Sequence, residues 1–432
     1  MHSARPRTRL EQLVQAERLS VPEFVSRFHE IAVQNGESRS VHTSNTTVKR
    51  WLAGGSDLPR AASRRVLERW WGASIERLLG PPDEGSHEPA LASATEEEMI
   101  VAAGRESVEH AIEAASALDP SALEHLHAAA RRAAHDYYAT PSLAMLTNLV
   151  QLRDTVYLQL DRTHKPRQQA ELYLVAGQIC GLLSSVSWDM GHPEVAEEQA
   201  RAAFTYGQVI DHPSLCAWAR ALQVTVTFWS GQPRRAAGIA QAALTVAPAG
   251  TARVRLHSVH ARSLAMIGAR QEVQTALDAA ADELDRAGDD PFLDEIGGEL
   301  AFDRSRRALC AGASFVALGD GERAETEALA ALDLFGDRAR WTAGAIGARV
   351  DLATARSMRG DLAGAEDALT TVFALEPERR TEAISRRLLN LGRILGTTQY
   401  RGAVEAKRVG EAIESFTAHS LAQTIVHPAI GR

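Results

Sequence analysis

The side chains best suited to chemistry stand together in Ser44-Asn45-Thr46-Thr47-Val48-Lys49-Arg50-Trp51. These amides, hydroxyls and cations match base edges and phosphates: Asn suits adenine, Arg or Lys suits guanine, and Thr suits a thymine methyl or a phosphate. Ser44 is placed to cap a helix, whose free backbone N–H groups would then face an anion. In such a helix Val48 and Trp51 are i, i+3 and turn toward a core, while Asn45, Thr46, Thr47, Lys49 and Arg50 lie around it. Arg60, Arg64 and Arg65 follow as candidate phosphate contacts, which position a duplex without specifying its sequence.

Other chemistries find little support. Neither usual spacing of a Gly-rich phosphate loop occurs, nor does G-x-S-x-G or H-E-x-x-H. The 15 histidines scatter. His125 and His127 diverge on a helix, and His257 and His260 share a face in a surface or packing role. Cys180, Cys216 and Cys310 are far apart with no C-x-x-C, which predicts reduced thiols in helix contacts rather than a disulfide or zinc site. We therefore expect no catalytic residues, no metal and no cofactor, and the chain reads as a non-enzyme.

The elements that must hold these residues are helical. The chain has 432 residues, 45% apolar and only 5% aromatic. That length suits several domains, or one domain with a repeat array. Residues 1–80 carry 13 Lys/Arg against 8 Asp/Glu, and the remaining 352 carry 34 against 47. A basic head on an acidic body suits one face meeting a polyanion. Leu10, Leu13 and Val14 form a helical stripe. Ser20 caps a second helix, with Pro22 in its first turn and Glu23 three residues after the cap. A third helix runs from Ser44 to Gly54-Gly55, separated from the second by a polar loop, Gln34 to Thr43. Pro59 is expected to open a fourth, and Ile75, Leu78 and Leu79 close the unit. The Pro-, Gly- and acid-rich stretch after Gly80 reads as a linker, 81–95.

From residue 96 to 432 every segment reads as helix, and a repeat is visible. Five glycines, Gly191, Gly231, Gly268, Gly319 and Gly360, set its phase. Five residues after each stands Ala196, Ala236, Val273, Ala324 or Ala365. Four further on come Ala200, Ala240, Leu277, Ala328 and Leu369, then Ala203, Ala243, Ala280, Ala331 and Val372. A glycine turn with small residues on both sides lets two helices approach closely. The pattern, clearest over 168–377, resembles the tetratricopeptide repeat. Its glycines are 37 to 51 residues apart, against about 34 in that repeat.

Thr47-Val48-Lys49-Arg50-Trp51-Leu52-Ala53-Gly54 resembles the recognition-helix pattern of lambda-repressor-like (Cro/C1, XRE-type) helix-turn-helix regulators. Leu58-Pro59, Val66-Leu67 and Trp70-Trp71-Gly72 resemble the next helix of that domain. Ile75 to Pro82 resembles its ending in actinobacterial regulators that carry a tetratricopeptide-like region. The resemblance implies an all-α fold, with a small helix-turn-helix domain (1–80) followed by a tetratricopeptide-like α-solenoid of helical hairpins. It implies a cytoplasmic, sequence-specific transcriptional regulator that binds double-stranded DNA as a homodimer. It also implies a peptide or small-metabolite effector in the solenoid groove, for which Tyr173, Trp188, Trp218, Arg220, Trp229 and Arg262 are the candidates. The alternative is an interaction scaffold whose head docks protein. Met1 to Arg9 lacks an apolar leader, and no window approaches 18 uninterrupted apolar residues, so no membrane contact is expected.

Overall fold

The computed structural model describes residues 6–17, 19–34, 43–54, 59–82, 100–101, 103–105, 107–108, 119–163, 165–286, 290–336 and 342–422. The regular elements among them are all helical, without a strand. The chain divides into two units, Met1–Ala103 and Gly104–Arg432. Residues 83–95 of the expected linker and 35–42 of the expected loop lie outside the described residues.

The first unit holds α1 (Arg9–Ala16), α2 (Val21–Gln34), α3 (Asn45–Leu52), α4 (Ala61–Trp71) and α5 (Ile75–Leu79). Local chemistry sets their starts. The Glu23 carboxylate accepts the Ser20 N–H at 2.8 Å, and the Ser20 hydroxyl accepts the Glu23 N–H at 3.4 Å. This reciprocal cap satisfies N–H groups that a helix start leaves open. Ser74 caps α5 through its hydroxyl, which accepts from the Arg77 N–H. α4 begins at Ala61 with Arg60 at its cap, rather than at the Pro59 expected from sequence. Proline fixes its own backbone but leaves Arg60 extended, at ψ 155°. Rings dominate the core: Phe24, Phe28 and Trp51 are buried with Leu10, Val48 and Leu67. Phe24 stacks on Trp70 at 4.8 Å and Phe28 tilts against Trp51 at 5.8 Å. The Thr8 hydroxyl donates to the Leu52 carbonyl at 2.9 Å, tying the end of α3 to the start of α1.

The second unit opens with α6 (Pro120–His135) and α7 (Ser142–Arg162). Six hairpins follow: α8 (Pro166–Asp189) with α9 (Pro193–Val209), α10 (Pro213–Trp229) with α11 (Pro233–Leu244), and α12 (Thr251–Ala265) with α13 (Arg270–Arg286). Then come α14 (Arg304–Ala317) with α15 (Gly321–Phe335), α16 (Ala343–Met358) with α17 (Leu362–Phe373), and α18 (Glu382–Leu395) with α19 (Val404–Ala418). All five phase-setting glycines have φ between +72° and +85°, the left-handed region that side chains resist. All fifteen residues placed after them by the repeat are buried. Alanine at these positions lets the paired axes close in. The first helix of each hairpin packs on the first helix of the next, and α18 returns to pack against α8.

α8 is long and apolar enough by composition to cross a membrane, with mean hydropathy 1.3. However, 72% of that window is buried inside this unit, as befits its central helix. One irregular stretch breaks the regularity. Residues 290–303, between α13 and α14, bury Leu293 and Leu300 in the same core as α6 and α10. This insertion fills the 51-residue interval from Gly268 to Gly319. Gly298, at φ +54°, lets it run against α6, since a Cβ there would collide with the Ala134 carbonyl.

Candidate functional site

Two surfaces carry the candidate chemistry. In the first unit, Ser44 caps α3, its hydroxyl accepting the Thr47 N–H at 3.3 Å and lying 3.0 Å from the Thr47 hydroxyl. Val48, Trp51 and Leu52 turn into the core, as their spacing requires. Asn45, Thr46, Lys49 and Arg50 are exposed, and Thr47 is half-buried. The helix therefore offers one amide, hydroxyls and two cations on the side away from its core. Arg60 and Arg65 are also exposed, whereas Arg64 is half-buried, its Nε enclosed without a hydrogen-bond partner.

In the second unit the first helices of the hairpins line two adjoining compartments of a central cavity, about 510 and 600 Å³, both open to one side. Both are lined by Arg262 and Arg387, which stand between them. In the 510 Å³ compartment, carbonyls from the 290–303 insertion organise the cations. Arg255 Nη2 donates to the carbonyls of Glu299, Leu300 and Ala301 at 2.8–2.9 Å. Arg306 donates to the Gly298 carbonyl and the Tyr138 hydroxyl, each at 2.8 Å. Glu299 accepts from the hydroxyls of Tyr138 and Ser185. Deeper, Arg387 pairs with Asp351 at 3.2 Å, both nearly enclosed.

Burial disturbs several of these groups, because a charge loses water when enclosed. It pulls Arg255 and Arg262 down to about 10. It pushes Asp351 above the usual carboxylate range, against the opposing pull of Arg387 and Arg262. It pushes Asp189 up to about 7, although the Tyr137 hydroxyl donates to that carboxyl at 2.8 Å.

The six groove candidates separate. Trp188, Trp229 and Arg262 line the central cavity. Trp188 stacks on Trp229 at 6.1 Å, and the Arg262 guanidinium lies 5.2 Å from the Trp229 ring. Trp218 does not line it: the ring is fully buried in the core against α8. There Gly181 makes room, since a Cβ would collide with the indole. Arg220, two residues on, points elsewhere. It covers the Phe204 ring at 3.5 Å and lines a separate cavity with Asp211, His212 and Cys216. Tyr173 stacks on Tyr206 at 5.7 Å, outside the central cavity. Helical spacing does not distinguish these directions.

Arg255, Arg306, Arg387, Glu299 and Asp351 are not marked by the sequence patterns. Arg255 stands between Val254 and Leu256, and Arg387 directly before Leu388-Leu389; an arginine beside such apolar residues is the available signal. The insertion is signalled by the longest interval between repeat glycines. Cys180 and Cys310 are buried free thiols and Cys216 is half-buried. No group of three or more His, Cys, Asp or Glu among the described residues could hold a metal ion. No protein-family model matches the chain, and no curated protein matches it.

Proposed function

We propose that this chain is a cytoplasmic, sequence-specific DNA-binding transcriptional regulator of the lambda-repressor-like, XRE type. In this reading α3 is the recognition helix, and the tetratricopeptide-like array carries the effector site and the homodimer contact. The observation that supports it best is the division of α3. Its apolar residues are buried, while Asn45, Thr46, Lys49 and Arg50 remain exposed beside an N-cap formed by Ser44. Those side chains suit base edges, and the capped N-terminus with Arg60 and Arg65 suits phosphates. A single small head covers one half-site, so pairing two copies would supply the second and raise affinity.

The test is selection of bound fragments from genomic DNA by the purified chain, repeated with Lys49→Ala/Arg50→Ala. Recovery of one motif by the parent chain, lost in the double variant, supports a regulator. Equal recovery of unrelated fragments by both proteins, with and without cell extract, overturns direct reading. It would favour a head that docks protein.

A further inference from the structure

We propose that the compartment among α10, α12 and α18 binds a small organic oxyanion, a carboxylate or phosphate monoester with a planar or apolar remainder, gripped by Arg262. This rests on the regulator reading and names the chemistry of its effector. The cations that face the cavity differ in their partners. Arg387 has Asp351 at 3.2 Å, Arg386 has Glu382 at 2.6 Å, and Arg306 has Glu299 at 3.9 Å. Arg255 is held by three carbonyls. Arg262 has no such partner. Among the described residues no carboxylate or carbonyl oxygen accepts a hydrogen bond from it; the Cys310 thiol and the Asp351 carboxylate, which Arg387 already holds, act on its charge. Two rings lie against it, Phe228 at 4.6 Å and Trp229 at 5.2 Å.

A guanidinium presents five N–H donors in a flat fork, and Arg262 is half-buried, with those donors taken by no oxygen acceptor among the described residues. The fork geometry fits two oxygens of one carboxylate or phosphate. The lining adds to the field: Arg262, Arg386, Arg387 and Arg393 stand against only Asp351 and Glu382. The remainder of the ligand has a place as well. Trp229 offers a ring, while Met266 and Val316 offer apolar walls.

The cavity size suits a small molecule. About 600 Å³ lies within the range of small-ligand sites. α18 is fastened to the end of α10 by Arg386 Nη1, which donates to the Trp229 carbonyl at 2.6 Å. Arg379 adds a second tie, donating to the Ala139 carbonyl at 3.0 Å. These ties bound the cavity where an open solenoid would leave a long groove for an extended chain.

The experiment titrates the purified full chain, without DNA, with benzoate, phenyl phosphate and neutral benzyl alcohol at constant ionic strength. Tryptophan fluorescence, to which Trp188 and Trp229 contribute among the seven tryptophans, and melting temperature report on binding. The expected result is saturable quenching and a raised Tm with at least one anion and none with benzyl alcohol. Which anion responds tells carboxylate from phosphate. Arg262→Gln should weaken the response about tenfold or more, and Arg262→Lys should weaken it while keeping the charge. Far-UV circular dichroism checks that each variant folds; should the Gln variant not fold, the Lys variant carries the comparison. No saturable response to either anion, or an undiminished response in the folded variants, overturns the proposal. Because no DNA is present, these outcomes stand apart from failure of DNA binding, which would sink the regulator reading alone.

Discussion

In the first unit the core is made of rings: Phe24, Phe28 and Trp51 are buried, with Trp70 against them. In the second, alanine fills the hairpin contacts, with Ala196, Ala200, Ala203, Ala236 and Ala240 all buried. The cations differ too. Lys49 and Arg50 are exposed on α3, whereas Arg255, Arg262 and Arg387 line a cavity within the array. A small unit of short helices has few core positions, so each must bury a large area. A stack of hairpins shares its core among neighbours and gains from close axes instead. Outward cations are available to a polyanion, while inward ones must be satisfied by the protein or by a ligand.

Opposite changes of size should therefore harm opposite units. Trp51→Ala empties the ring cluster and is expected to destabilise the first unit by about 3–5 kcal/mol. Ala240→Leu overfills the α10–α11 contact and is expected to cost the second unit about 1–3 kcal/mol. Urea denaturation followed by circular dichroism measures both. A tolerated leucine at 240 would show that small size there is not what the hairpin needs.

Acidity touches the second unit through Asp189. Burial raises its carboxyl from 3.8 to about 7, so the folded chain holds a proton that the unfolded chain has released across that window. Its stabilising contribution is complete below the lower value and is lost as pH rises through the upper one. The melting temperature of the second unit should fall between about pH 4 and about pH 7, and Asp189→Asn should flatten the decline. The same decline in Asp189→Asn would place the cause elsewhere.

The smallest change is at Asp211, which takes φ +50° in the turn between α9 and α10. Its counterparts Gly191 and Gly231 take the same region. A side chain there costs energy that glycine avoids. Asp211→Gly is expected to stabilise by about 0.5–1 kcal/mol, read as a small rise in Tm.

Most of the array is legible in the sequence because its determinants are local. A glycine and the small residues five to twelve positions later describe one turn and one interface. The caps at Ser20 and Ser44 are legible for the same reason. The cavity is not. Arg255 bonds to carbonyls 44 to 46 residues away, on an insertion with no periodicity of its own. Spacing alone assigns Trp218 to the groove, because it marks a helix face but not which neighbour that face meets. The neighbour is Gly181, a small residue in a helix of its own.

The outward role of the α3 cations and the inward role of the array cations can be separated by one titration. The affinity for a short mixed-sequence duplex would be measured by fluorescence anisotropy against salt, for the parent chain, Lys49→Ala/Arg50→Ala and Arg262→Gln. Removing one cation that pairs with a phosphate lowers the slope of log affinity against log salt by about one. Weaker binding and a shallower slope are predicted for the α3 variant, with both unchanged in Arg262→Gln. A parent slope that the α3 variant retains, or that Arg262→Gln reduces as much, would contradict this division of roles.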